Sequence, residues 1–160
     1  DQRVTYKHTT QTPAQLSLGA KRNWLADNAS GEIVVVFDDD DFYGSNYVSF
    51  MVNEMKRTGA SLIRAKTWLM SHFNPAGSDL AYHMVTPAGA PTGWGFAFVF
   101  KKSIMTSCRY ADLNRIEEDP LAACVSTNPA MKMLSIDFDT PNKKPLMLKF
   151  ESHTPNTESI

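Results

Sequence analysis

The sequence predicts one α/β domain over residues 1–160, a mostly parallel sheet flanked by helices, and three observations lead there. Ile33–Phe37 is an unbroken apolar run rich in β-branched residues, the pattern of a strand covered on both faces. Strand-like runs alternate with segments that carry helix start and stop signals, giving strand, helix, strand, helix, strand from the N-terminus onward. The composition, 42% hydrophobic and 21% charged over 160 residues, supplies a core and excludes a disordered chain. A formal net charge of -1 leaves no basic field to hold nucleic acid. The longest apolar runs are too short for a transmembrane segment.

Val4–Thr9 reads as a first strand, and Thr12-Pro13 as the cap and first position of a helix carrying Leu16, Ala20 and Trp24 and ending before Gly31. Glu32–Phe37 is the strongest strand. Ser45 caps a second helix reaching Thr58, with Gly59 as its stop. Ala60–Trp68 returns as a strand, Asn74–Gly93 is a loop rich in Gly and Pro, and Trp94–Lys101 is a further strand. Asp119-Pro120 opens a helix through about Val125. Met133–Phe138 and Leu146–Phe150 add strands. Cys108 and Cys124 lack metal-ligand spacing and sit among apolar neighbours, so they read as buried or half-buried free thiols.

The chemistry concentrates at Asp38-Asp39-Asp40-Asp41, directly after the apolar strand. In open α/β sheets ligands bind at that carboxyl edge. If the chain stays extended, Asp38 and Asp40 point one way and Asp39 and Asp41 the other. Two carboxylates about 7 Å apart repel by roughly 2 kcal/mol at an effective dielectric near 20, so such a cluster calls for a cation or for protonation of some of its acids. Hard oxygen donors suit Mg²⁺ or Mn²⁺, above all where a substrate phosphate completes the shell. The competing reading is a solvated acidic loop before a helix N-terminus.

Three further groups stand out. Glu117-Glu118-Asp119-Pro120 can cap a helix or supply a general base. Lys21-Arg22-Asn23 is an ordinary exposed helix face or a set of ligand contacts. His153 near the C-terminus is a surface residue unless a metal cleft adjoins it.

Taken together, these segments resemble the glycosyltransferases of family 2, which have the GT-A fold. The resemblance rests on GAKRNWLADNASGEIVVVFDDDDFYGSNYVSFMVNEM, an Arg-Asn helix leading through an apolar strand into a DxD motif and a helix. GWGFAFVFKKSIM resembles the family's Gly-containing strand, RYADLNRIEEDPL its Glu-Asp motif, and SHTPNTES its His-x-x-Asn-Thr tail.

The resemblance implies metal-dependent, inverting transfer of a sugar from a nucleotide-sugar donor to a sugar, lipid or protein hydroxyl. Metal ligands would be Asp38, Asp40, Asp41 and His153, holding Mn²⁺ or Mg²⁺. Donor contacts would come from Arg22, Asp38, Asp39, Gly93, Trp94 and Gly95, with Arg22 near the diphosphate and Trp94 against a sugar face. Asp119 or Glu118 would be the base. Against the family pattern, the chain begins at Asp1 after the point where a nucleotide-base-binding segment is expected, so the sequence reads as an N-terminally truncated domain or a fragment of a longer one. The expected location is cytoplasmic, peripheral to a membrane if the acceptor is a lipid.

Two alternatives stand beside this reading. One is a degenerate domain that binds metal or carbohydrate without turnover. The other is a phosphohydrolase of the haloacid dehalogenase type, disfavoured because Phe42 follows the acids and Pro141 spoils Asp137-Phe138-Asp139-Thr140.

Overall fold

The computed structural model describes residues 2–72, 81–85, 95–138 and 147–151. It contains helices α1 (Leu18–Asn28), α2 (Tyr47–Thr58) and α3 (Glu118–Thr127). The strands are β1 (Ile33–Val35), β2 (Phe42–Tyr43), β3 (Leu62–Ala65), β4 (Trp68–His72), β5 (Ala81–Val85), β6 (Val99–Lys101), β7 (Met133–Ile136) and β8 (Met147–Glu151). Short 3-10 turns at Gly95–Ala97 and Lys102–Thr106 flank β6.

Two mixed sheets result, β1-β6-β3-β7 and β2-β8-β4-β5. The α/β class and its GT-A-like arrangement are as expected. Parallel pairing is confined to β3 with β7 and β4 with β8. β6 enters between β1 and β3 antiparallel to both. Strand β1 is nonetheless covered on both faces. Ile33 and Val35 pack against one core cluster, Val34 and Val36 against the other, as the period of two along a strand requires.

The same alternation divides the core. Ile63 and Val99 face α2 through Tyr47, Met51 and Met55. Leu62 and Phe100 face the opposite layer with Leu121 and Val125 of α3. Each such side chain, taken fully out of water, stabilises the fold by about 2 kcal/mol. Helix α2 stops where expected, at Gly59 with φ 71°, a left-handed conformation that costs glycine no Cβ clash.

Several expected boundaries move. Val4–Thr9 forms no strand; it lies largely exposed and finds no partner strand among the described residues. Thr12-Pro13 opens a turn and not a helix. Helix α1 starts at Leu18, because the Ser17 hydroxyl accepts the Ala20 N–H at 3.1 Å and the Leu18 N–H is taken by Asn114 Oδ1 at 2.9 Å. Asn46, not Ser45, precedes α2. Ala60–Trp68 divides into β3 and the start of β4, and Trp94–Lys101 contributes only Val99–Lys101 as strand, preceded by a 3-10 turn.

The cysteines are not free thiols. Cys108, after the second 3-10 turn, and Cys124 on α3 form a disulfide with Cα atoms 5.6 Å apart. Packing of α3 onto the same core cluster brings them within bridging distance, which spacing along the chain does not reveal.

Candidate functional site

The acidic run does not continue as an extended strand. Residues Asp39 and Asp40 form a turn, and the Asp41 N–H reaches back to the Asp38 carbonyl at 3.4 Å. Strict alternation therefore fails, and Asp41 joins Asp38 and Asp40. One ligand oxygen from each of these three carboxylates lies within 4.8 Å of the others. Asp39, exposed on the turn, lies outside this group. Three carboxylate oxygens so placed could hold one metal ion.

Tyr43 fixes the start of the turn. Its hydroxyl accepts the Asp38 N–H at 3.0 Å and donates to the Phe96 carbonyl at 2.9 Å. Burial, with the nearby aspartate charges adding to it, pushes the phenol's pKa upward, so the group stays a donor. Phe37 and Tyr47 pack around it, with ring centroids 4.6 Å and 5.1 Å from Tyr43. The signal in the sequence is the aromatic pair Phe42-Tyr43 directly after the acids.

Arg22 on α1 joins the acid turn to the second acidic motif. Its guanidinium contacts Asp38 Oδ1 at 3.0 Å through one nitrogen and Glu117 Oε1 at 2.9 Å through the other. The Tyr110 ring lies 5.7 Å from the guanidinium carbon. The Tyr110 hydroxyl is buried without a hydrogen-bond partner among the described residues. Glu117 is only 2% exposed. Burial raises its pKa, and Arg22 works in the opposite direction.

Neighbouring Asn23 grips the backbone of the segment that leads to Glu117. It donates to the Tyr110 carbonyl at 2.9 Å and accepts the Tyr110 N–H at 3.1 Å. The Arg-Asn pair is therefore an interior clamp and not an exposed face. Ile116, immediately before Glu117, sits at φ 52° while 65% exposed. For a β-branched residue this left-handed conformation is strained, and it turns Glu117 inward at the start of α3.

The three acids of that motif divide their roles. Glu117 pairs with Arg22. Glu118 Oε1 accepts the Gly95 N–H at 3.1 Å. Asp119 is half-buried in the first turn of α3. The guanidinium of Arg64 on β3, bonded to Ser135 Oγ at 2.7 Å, is lowered in pKa by burial, and the charge of Asp119 opposes that shift.

Gly95 packs closely against both Arg22 and Glu118. A Cβ there would stand 2.6 Å from Arg22 Nη1 and 3.0 Å from Glu118 Cβ. The structure therefore brings together Arg22, Asp38, Asp40, Asp41, Gly95 and Glu118, with Glu117 and Tyr43 added. Gly93, Trp94 and His153 lie outside the described residues.

Comparison with known proteins supplies one positive finding. Residues 1–104 match the family model described as Glycosyl transferase family 2. The match spans α1, the acid turn, α2 and β6, and ends before Glu117. No curated protein matches the chain.

Proposed function

Because this chain belongs to glycosyl transferase family 2, we propose that it carries out metal-dependent, inverting transfer of a sugar from a nucleotide-sugar donor to an acceptor hydroxyl. The observation that supports this reading is the Arg22 bridge, which joins Asp38 of the acid turn to Glu117, two residues before Asp119.

Asp38, Asp40 and Asp41 would hold Mn²⁺ or Mg²⁺, with His153 as a further ligand. A divalent ion there supplies charge neutralisation for the diphosphate of the donor. Asp39, Gly93, Trp94 and Gly95 would contact the donor, and Arg22 would lie at its diphosphate edge. Asp119 is the better candidate for the base. Glu118 already accepts the Gly95 N–H, so its work is to hold the floor of the site. In the transfer, the acceptor oxygen bonds to the sugar's anomeric carbon and its proton passes to Asp119. The carbon–oxygen bond to phosphate breaks, and its electron pair leaves with the nucleoside diphosphate.

We treat the chain as one glycosyltransferase-like domain. A cytoplasmic location, peripheral to a membrane if the acceptor is a lipid, belongs to the same proposal. No helix among the described residues is long and apolar enough to cross a membrane. The Cys108–Cys124 bridge weighs toward an oxidising compartment, and thiol labelling of the protein in its own cells decides between the two.

Isothermal titration with Mn²⁺ and a set of nucleoside diphosphates tests the function. Nucleotide binding that requires Mn²⁺ supports the enzyme. Mn²⁺ binding without nucleotide supports a domain that holds metal but does not turn over.

A further inference from the structure

We propose that Arg22 is a built-in counter-ion that competes with the divalent cation for Asp38, so that the cation binds by displacing an internal ion pair. The inference rests on the assignment of Asp38, Asp40 and Asp41 as the cation site.

Asp38 has two claims on it. It contributes to the group of three carboxylates, and its Oδ1 is already 3.0 Å from Arg22 Nη2. Arg22 has two carboxylate partners of unequal depth. The Glu117 side chain is 3% exposed and the Asp38 side chain 28%. A buried carboxylate deprived of a counter-ion loses more than one that water can reach, so Glu117 is the fixed anchor and Asp38 the partner that yields.

The surroundings keep the guanidinium in place. The Tyr110 ring lies on one side, Gly95 leaves just enough room for Nη1, and the arginine side chain is 12% exposed. Without a cation, Arg22 offsets part of the repulsion in the acid turn. With one, the like charges of Arg22 and the metal oppose each other across Asp38. The spacing of the two nitrogens matters: Nη2 hydrogen-bonds Asp38 while Nη1 stands at ion-pair distance from Glu117, so one planar guanidinium spans both carboxylates.

The test is titration of Mn²⁺ alone, followed by the loss of its free-ion electron paramagnetic resonance signal, with wild type, Arg22→Lys and Asp40→Asn. Lysine keeps the charge but makes a single-pronged contact, which goes to the more buried Glu117 and leaves Asp38 to the metal. The expected result is Mn²⁺ binding about tenfold tighter in Arg22→Lys than in wild type, at unchanged net charge. Equal affinity in Arg22→Lys and wild type, with binding lost in Asp40→Asn, overturns the competition and leaves the metal site standing. Equal affinity in Asp40→Asn and wild type overturns the metal assignment and this inference with it. If Arg22→Lys does not fold, judged by circular dichroism, Glu117→Gln replaces it in a titration over salt concentration. Competition then predicts weaker Mn²⁺ binding whose deficit persists at high salt, whereas a deficit that salt abolishes is a long-range field effect and overturns the inference.

Discussion

Arg22 lies 3.0 Å from Asp38 and 2.9 Å from Glu117, so one side chain of α1 ties the acid turn after β1 to the motif that opens α3. Arg22→Met leaves Glu117 buried without its counter-charge. The expected cost is about 3 kcal/mol at neutral pH. The sign of its pH dependence follows from Glu117, whose pKa burial raises. In the native state this carboxyl holds its proton to higher pH than in the unfolded chain, so its contribution to stability falls as pH rises above the ordinary glutamate range. The variant has lost the opposing arginine, so its deficit narrows as the pH is lowered and Glu117 becomes neutral. Urea unfolding of both proteins at pH 7.5 and pH 5 checks this, and a deficit that widens in acid contradicts it.

Asp40→Asn and Asp41→Asn are each expected to weaken Mn²⁺ binding by about tenfold or more, while Asp39→Asn leaves it within about twofold. The distinction comes from the turn at Asp39–Asp40, which groups Asp41 with Asp38 and Asp40. Had the chain alternated, Asp39 and Asp41 would behave alike, and calorimetry on the three variants separates the two cases.

Asp119→Asn is expected to lower kcat by about a thousandfold through loss of the base, with the fold intact. Glu118→Gln keeps an oxygen for the Gly95 N–H, so its kcat is expected within about tenfold of wild type. Steady-state rates with a nucleotide-sugar donor compare them. A larger loss in Glu118→Gln would transfer the base role to Glu118.

Gly95→Ala places a Cβ 2.6 Å from Arg22 Nη1. The guanidinium, held between Asp38 and Glu117, is forced aside together with Glu118, whose Cβ would stand 3.0 Å away, and an Arg22 ion pair lengthens. A stability loss of roughly 1–3 kcal/mol is expected, together with altered Mn²⁺ affinity. Thermal unfolding with and without Mn²⁺ reads both.

Reduction of Cys108–Cys124, separated by 16 residues, is expected to remove about 3 kcal/mol of stability. The bridge ties α3 to the 3-10 turn at Lys102–Thr106, and the segment between the cysteines carries Glu117, Glu118 and Asp119. A shift of the urea midpoint on adding a phosphine reductant measures the effect. No shift would show that core packing alone holds α3.

Some of this was decided by the sequence. The apolar run Ile33–Phe37 determined a strand packed on both faces, because consecutive apolar residues leave no polar face for water, although the strand itself is only Ile33–Val35 and Phe37 beyond it is 52% exposed. The Asp run determined where oxygen donors gather, and Gly59 determined where α2 ends. Other features depended on which distant segments meet. Thr12-Pro13 carries a sound capping signal, yet α1 starts at Leu18, capped by Ser17, and Asn114, far along the chain, takes the Leu18 N–H. Val4–Thr9 has strand composition, but a strand needs a hydrogen-bonding neighbour and composition cannot supply one. The disulfide and the Arg22 bridge are likewise contacts between residues that the sequence leaves far apart. Local propensity and hydrophobic period act over a few residues, whereas ion pairs and bridges form only after the sheet and helices have packed.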